Sequence, residues 1–296
     1  MHWRRIMLVT ILLVILTVPI YAKNQTGSFA WEISDEENTI YVMGSIHFMP
    51  EGTFPLSESV EEAFADSEKL IVQANLLEVE EEELNNYYRK EGFYEDGQTL
   101  SDSLSESVFS QLKEELSDLN IPLSGVDQFQ PWHMAQTLET QKISDLDYSL
   151  DLSVELYFLE KAQEDGKEII ELEPYLEQLD FVSNFSPELQ EKYLQSILLE
   201  FEEDGDRLYK ILDAWEKGER EKMEETLFGV RNKKQDLENF YHKYYDERNK
   251  KMAEEIENIM DEGEQTFVVL GAEHLVGKDN VLEFFRDKEH EIKQIK

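Results

Sequence analysis

Two histidines in this chain follow strongly β-prone runs at the same spacing. Residues Thr39–Met43 are followed by Gly-Ser-Ile-His, which ends at His47, and residues Thr266–Leu270 by Gly-Ala-Glu-His, which ends at His274. With 13 glycines and 6 histidines in 296 residues, one Gly-x-x-His spacing is expected about 0.3 times by chance. A single copy is therefore a weak signal, but two copies that both follow strong strands indicate a shared site.

Such histidines are suited to metal binding or to acid–base catalysis. A neutral imidazole nitrogen binds divalent metals, and the same group is a base near physiological pH. A buried strand that ends in glycine lets the backbone turn sharply, so the next side chains project from the carboxyl edge of the sheet, where α/β proteins place their ligands. If the two strands are neighbours, His47 and His274 meet in one crevice. The alternative for each is a structural histidine.

The N-terminal part of the chain is predicted to form strand, helix and strand. The β-prone runs Phe29–Ile33 and Thr39–Met43 flank a turn-like Asp-Glu-Glu-Asn segment and suggest a hairpin. A helix is predicted over Glu58–Asp66, with a capping box that starts at Ser59, and a strand over Lys69–Gln73.

The remaining chain alternates helical segments with β runs. Helical spacing with many glutamates from Val79 to about Glu139 indicates a helical insert. A helix over Leu152–Glu164 and a strand over Glu168–Leu172 follow, and residues 187–261 are expected to form two or three amphipathic helices. The last elements predicted are a strand over residues 266–270, a helix over 281–287 and a β-prone tail over 290–295. We expect helical lobes packed around one sheet.

The first 22 residues have the layout of a secretory signal peptide. Arg4 and Arg5 precede an apolar run, Ile6–Ile20, and a small residue, Ala22. An uncleaved N-terminal membrane anchor is the alternative, because the position three before the cut is Ile20 rather than alanine. Either way the protein is expected to be extracytoplasmic, secreted or anchored, and to touch a membrane only through residues 1–22.

The amino-acid composition of the chain limits the classes of partner that it can bind. Asp and Glu outnumber Lys and Arg by 66 to 28, so the net charge is −38, and it becomes −40 when a leader with two arginines and no acid is removed. This charge repels phosphate backbones, and nucleic-acid binding is not expected. Solvated helical faces explain the excess, and a saline or alkaline habitat is the alternative. Without cysteine the chain has neither disulfides nor a catalytic thiolate.

Motifs spread over residues 28–296 resemble the TraB/GumN family, which includes the Tiki proteases and the pheromone-shutdown proteins. Both Gly-x-x-His motifs belong to the resemblance, and so do Leu56 and the Ala-Phe pair at 63–64. The other matching stretches are residues 67–72, residues 167–173 with Gln178, the Arg-Asn pair at 248–249, and residues 271–277. By this resemblance residues 23–296 are one TraB/GumN-like domain.

The resemblance implies an α/β fold, a central mixed β-sheet flanked by helices of the erythromycin-esterase and ChaN-like kind, here with acidic helical inserts. For the Tiki branch it implies a metal-dependent peptidase that uses both motifs. His47 and His274 are then metal ligands or catalytic histidines, with Mn, Co or Zn as the divalent metal. The substrate is a peptide or a small extracytoplasmic molecule.

Two charged residues are added to the catalytic set by the same resemblance. Glu173 follows the strand Glu168–Leu172 and could bring a carboxylate to the same sheet edge, or it could cap a helix or be solvated. Arg248 could hold a substrate carboxylate or a developing oxyanion, or it could form a helix-surface ion pair. The residues expected to bind ligand are Gly44, Ser45, Gln73, Gly271 and Glu273.

Gln73 departs from the family pattern, in which the strand ends in a glutamate. Glutamine is a poor metal ligand and cannot act as a general base. Glu173 and Glu273 are the acids that could replace it, although strand alternation puts Glu273 and His274 on opposite faces unless the turn after glycine relieves this. Ser45 could also be a nucleophile activated by His47. A hydroxyl two residues from a base along one strand end is, however, more often a chance placement than a catalytic dyad.

Three functional hypotheses follow. The first is a metal-dependent, peptidase-like hydrolase with His47 and His274 on the metal. The second is a catalytically degenerate relative that binds a peptide or a cell-envelope ligand in the same crevice, which Gln73 favours. The third treats the acidic helices as a surface for a cationic partner.

Overall fold

The structure is a computed structural model that describes residues 28–95, 97–144, 152–203 and 206–296. Within these residues one mixed sheet has the strand order β4-β3-β5-β2-β1-β6. Strands β2, β3, β4 and β5 are parallel, whereas β1 is antiparallel to both of its neighbours. The strands are β1 (Ala30–Ser34), β2 (Thr39–Ser45), β3 (Lys69–Val72), β4 (Glu168–Glu171), β5 (Thr266–Gly271) and β6 (Glu291–Gln294). The predicted α/β class and hairpin are confirmed.

Strands β3 and β5, which pair with each other inside the sheet, consist of buried residues throughout. A parallel strand covered on both faces reads as a continuous apolar run, as in the Leu-Ile-Val of β3 and the Phe-Val-Val-Leu of β5. Strands β4 and β6, at the two edges of the sheet, are only partly buried. The strongest β signals therefore mark inner strands of the sheet.

Helices α1 (Glu58–Asp66) and α7 (Val154–Asp165) pack against β5. Their contact is a cluster of three buried rings, Phe64, Phe158 and Phe267, whose centroids lie 4.7–5.5 Å apart. Aromatic rings at this spacing bury large apolar areas, so the cluster fixes both helices on the sheet. Helix α7 ends at Asp165, and the next residue, Gly166, has the left-handed φ of 68° that favours glycine.

The predicted capping box at Ser59 is wrong, although the predicted bounds of α1 are right. The residue before the helix is Ser57, and the Ser59 hydroxyl donates to the Lys296 carbonyl at 2.6 Å. Glu61 instead accepts from the backbone N–H of Leu56 at 2.8 Å. Capping-box spacing also occurs by chance in a Ser-rich and Glu-rich segment, and here the contact with the distant C-terminus decides the role of Ser59.

A lobe of helices covers the carboxyl edge of the parallel strands. The predicted insert is helical from Glu81 onward, and residues 187–261 form more helices than the two or three predicted. One break that was missed lies at Gly218, whose φ is 66°. The helices of the lobe are α2 (Glu81–Glu91), α3 (Leu100–Ser103), α4 (Glu106–Asp118), α5 (Leu123–Val126), α6 (Pro131–Ser144), α8 (Tyr175–Ser183), α9 (Pro187–Glu203), α10 (Arg207–Lys217), α11 (Arg220–Lys233), α12 (Glu238–Tyr241) and α13 (Glu247–Met260).

Short helical turns and the C-terminal helix complete the fold. A π-helix over His242–Asp246 joins α12 to α13, and α14 (Val281–Asp287) precedes β6. The 3₁₀ turns are Leu76–Glu78, Gln235–Leu237 and Ala272–Leu275. The predicted leader or anchor, residues 1–22, lies outside the described residues. None of the helices described between residues 28 and 296 is long and apolar enough to span a bilayer.

Candidate active site

The strands that carry the two motifs are neighbours. Strands β2 and β5 pair in parallel, with Gly44 opposite Leu270 and Ser45 opposite Gly271. His47 and His274 therefore leave the same edge of the sheet, and both line one cleft. The two glycines are one position out of register in this ladder, so the motifs present their histidines differently.

The cleft lies between the sheet edge and the helical lobe. Its wide part has a volume of about 630 Å³, and a side chamber of about 190 Å³ adjoins it. This is the edge at which α/β proteins bind ligands. The residues that line both parts are His47, Glu139, Ile143, Tyr193, Tyr244, Tyr245 and Glu273.

His274 is locked in one protonation state by its neighbours. The side-chain N–H of Asn249 donates to the Asp279 carbonyl at 3.2 Å, which leaves the Asn249 Oδ1 facing His274 Nδ1 at 2.6 Å. Since that oxygen only accepts, His274 carries its proton on Nδ1. The ring is 1% exposed, and burial, then the charges of Arg248 and His47, hold the pKa of His274 well below its usual value. It is therefore a neutral imidazole at physiological pH.

The side-chain amide of Gln73 contacts the other ring nitrogen of His274, Nε2. The backbone N–H of Gly271 donates to Gln73 Oε1 at 3.4 Å, which orients the carboxamide. Its Nε2 then lies 3.1 Å from His274 Nε2 and 3.3 Å from Glu173 Oε2. The two amide hydrogens thus bridge an imidazole lone pair and a carboxylate, which is the position a cation would take between them.

Glu173 and Arg248 form a buried ion pair. Arg248 donates to Glu173 from Nη2 at 2.7 Å and from Nε at 3.1 and 3.2 Å. Each residue is 8% exposed. Burial lowers the pKa of Arg248, but the hydrogen bonds that Arg248 donates to Glu173 and the charge of that carboxylate outweigh burial and raise the pKa overall. Of the roles considered for Arg248, the structure shows an ion pair. This pair is buried inside the protein and does not lie on a helix surface.

This arrangement does not fit a metal held by the two histidines. Both ring nitrogens of His274 have protein partners, and the carboxylate of Glu173 accepts hydrogen bonds from Arg248 and Gln73. Across the described residues no group of three or more His, Cys, Asp or Glu side chains is placed to hold a metal ion. Known catalytic zinc sites use three protein ligands. The metal centre stays a prediction, and the hydrogen bonds of His274 argue against it.

His47 has the opposite environment. Its side chain is 54% exposed, and its Nδ1 lies 3.8 Å from Oε2 of the buried Glu155. Glu155 Oε1 accepts from the backbone N–H of Ala74 at 3.3 Å. Burial raises the pKa of Glu155 despite the opposing effects of His47 and that hydrogen bond. A buried carboxylate therefore faces an imidazole that solvent and ligands can reach.

Close packing requires glycine at position 44, whereas the flexible Glu273 carboxylate could move away from a Cβ at position 271, and neither glycine has a left-handed φ. A Cβ on Gly44 would lie 2.4 Å from the Phe29 ring, and one on Gly271 would lie 2.5 Å from the Glu273 carboxylate. Gly271 has a φ of −50°, which any residue adopts. The chain then enters the 3₁₀ turn Ala272–Leu275, which breaks strand alternation, so Glu273 faces the cleft while His274 is buried.

The helical lobe adds tyrosines and a further acid to the cleft. Glu247 N–H donates to the His242 carbonyl, an i to i+5 bond that defines the π-helix, and π-helical segments often occur at functional sites. This segment places Tyr244 and Tyr245 at the cleft. From α6, Glu139 accepts a 3.0 Å hydrogen bond from Tyr193. Burial, followed by the charge of Glu200, raises the pKa of Glu139 to about 7.

Sequence reasoning missed Glu155 and Glu139. A signal for Glu155 was present, because it shares a helix face with Phe158, Leu159 and Ala162, three, four and seven residues later, which are all buried. An acid on an apolar helix face is costly to bury unless it has a partner or a function. Such positions can be searched for in other sequences.

Fold and cleft together define an α/β protein with a cleft at the carboxyl edge of its parallel strands. The model of the TraB/PrgY/gumN family matches residues 29–294, and the chain belongs to this family. No curated protein sequence and no solved structure gives a significant match. The relation to erythromycin esterases and ChaN-like proteins stays a prediction.

Proposed function

We propose that the protein hydrolyses an extracytoplasmic peptide or ester in the edge cleft, with His47 as the general base. The observation that carries this proposal is the solvent-accessible imidazole of His47 3.8 Å from the buried carboxylate of Glu155. An imidazole base beside a buried acid is a recurring arrangement in hydrolases. The leader-like residues 1–22 support an extracytoplasmic site of action.

The chemical step needs only water and the side chains of the cleft. His47 takes a proton from water while the water oxygen bonds to the carbonyl carbon of the substrate, and the carbonyl electron pair moves to its oxygen. As the tetrahedral intermediate collapses, the bond from carbon to the leaving nitrogen or oxygen breaks, and protonated His47 returns the proton to the leaving atom. The carboxylate of Glu155, 3.8 Å from the ring, stabilises the charged form of His47 by charge attraction.

Tyr244 and Tyr245 are the donors proposed for the developing oxyanion. Burial raises the pKa of Tyr244 to about 12 and holds the pKa of Tyr245 well above its ordinary value. Both hydroxyls therefore keep their protons at neutral pH and can donate a hydrogen bond. Arg248, the sequence-based choice for this role, is occupied by Glu173.

The second proposal is ligand binding without turnover, and the contact between Gln73 and His274 favours it. A metal-dependent relative needs His274 as a ligand, and in this chain the amide of Gln73 holds that ring. A Mn, Co or Zn ion would bind only after Gln73 moved away. Wild type and variants treated with chelator therefore belong in the test.

A hydrolase assay separates these proposals. Wild type, treated with EDTA, is screened against fluorogenic peptides and p-nitrophenyl esters, together with His47→Gln and His242→Gln. The side chain of His242 is 53% exposed, so it is a matched control. Turnover that survives EDTA and His242→Gln and falls at least about a hundredfold in His47→Gln supports the general base. Turnover that needs added metal supports the metal route, and no turnover with retained ligand binding supports the second proposal.

A further inference from the structure

The side chamber of the cleft has mostly apolar walls. It has a volume of about 190 Å³, and an apolar cavity of about 150 Å³ in another protein accommodates benzene. The chamber therefore has room for an alkyl chain of a few carbons. Its apolar lining includes Phe48, Ile197, Ile211, Met223, Phe240 and Tyr245.

One buried polar atom faces this chamber without a partner. Ser45, the second residue of the first motif, is 1% exposed and lines the chamber. Within the described part of the chain, its Oγ has no hydrogen-bond partner. A buried hydroxyl left unsatisfied costs free energy, so it points to a group that is supplied from outside.

The chamber also carries two carboxylates that form no ion pair with a cation in the described part of the chain. Glu139 and Glu273 line it, and among the described residues neither has a Lys or Arg within ion-pair distance. The two cations of the lining are already paired: Arg207 lies 3.1 Å from Glu200, and Lys142 lies 2.9 Å from Glu115. Burial, and after it the negative charge of Glu200, raises the pKa of Glu139, while the hydrogen bond from Tyr193 and the charge of Arg207 oppose the shift.

We propose that this chamber binds an alkylammonium group, such as a lysine side chain of a peptide or the end of a free diamine. The inference rests on the proposed function, because it names the substrate class of that cleft. The apolar walls take the carbon chain, Glu139 and Glu273 pair with the ammonium, and Ser45 Oγ accepts one of its hydrogens. The tyrosine rings add cation–π attraction.

Binding is measured by calorimetry on the full chain carrying His47→Gln, at pH 8, where Glu139 is ionised. The probes are Nα-acetyl-lysine N-methylamide, its uncharged norleucine counterpart and cadaverine. The lysine probe is expected to bind at least about tenfold more tightly than the norleucine probe. If cadaverine binds more tightly than the lysine probe, the natural ligand is a free amine, and the reverse order indicates a peptide.

The double variant Glu139→Gln/Glu273→Gln is expected to weaken lysine binding at least about tenfold and to leave norleucine binding unchanged. The control Glu188→Gln alters an exposed acid on α9 and is expected to change neither. Equal binding of the lysine and norleucine probes, or lysine binding that survives the double variant, overturns the inference. Since the base is absent from these measurements, that failure is distinct from a failure of the hydrolase assay.

Discussion

The two Gly-x-x-His motifs have the same sequence pattern and opposite environments. His47 is 54% exposed, with a buried acid 3.8 Å away. His274 is 1% exposed, with both ring nitrogens engaged. One residue of offset in the β2–β5 ladder and the 3₁₀ turn after Gly271 produce this difference. A repeated motif therefore identifies a shared place in the fold, and the neighbours of each histidine decide what it does.

The largest loss of stability is expected at the ion pair of Glu173 and Arg248, which Gln73 links to His274. Glu173→Ala leaves a buried guanidinium without its carboxylate, which typically costs about 3–5 kcal/mol. The free energy of unfolding in urea measures the loss. Glu177→Ala, an exposed acid on α8, is the control and is expected to cost below about 0.5 kcal/mol. A loss below about 1 kcal/mol in Glu173→Ala would show that the pair is not buried.

The histidines themselves give the next comparison. His274→Ala removes a buried ring and leaves the Asn249 oxygen and the Gln73 amide without partners, at a cost of about 3 kcal/mol. His47→Ala removes an exposed side chain and is expected to change stability by less than about 0.5 kcal/mol. Urea unfolding of both variants under identical conditions tests the difference. Equal losses would contradict the separation of roles.

Gln73→Glu is expected to convert the locked histidine into a metal ligand. The new carboxylate would face Glu173 without the bridging amide hydrogens, so stability without metal should fall by about 2 kcal/mol. It would also supply the missing acidic ligand, so Mn²⁺ or Zn²⁺ should raise the melting temperature of the variant. Wild type at the same metal concentration is the reference. An equal rise in the melting temperature of wild type would instead support a metal centre formed by the two histidines.

Glu139→Gln is expected to have the smallest effect, and a pH-dependent one. The pKa of Glu139 is about 7 in the folded protein against 4.5 as its ordinary value. The folded state therefore holds this proton more tightly, and the group reduces stability as pH rises from about 4.5 to 7. Glu139→Gln should be more stable than wild type by about 1–2 kcal/mol above pH 8, and equal to it below pH 4. A pH-independent difference would contradict the raised pKa.

The sequence predicted the sheet better than the site. Apolar runs such as Lys69–Val72 and Thr266–Gly271 mark buried parallel strands directly, so the α/β class could be predicted, whereas the pairing of the two motif strands was only a condition of the prediction. The protonation state of His274 could not be predicted, because it depends on Gln73 and Asn249, which are 201 and 25 residues away in sequence. Pairings of this kind arise from tertiary packing and leave no local pattern.

Long-range ¹H–¹⁵N NMR correlation of the histidine rings tests the separation of roles most directly, because it reports which ring nitrogen carries a proton. His274 is predicted to stay neutral, protonated on Nδ1, between about pH 5 and 8, and to be unaffected by an equimolar amount of Zn²⁺. A His274 ring that titrates in this range, or an Nε2 signal that shifts when Zn²⁺ is added, would contradict the separation of roles and make His274 a metal or proton site.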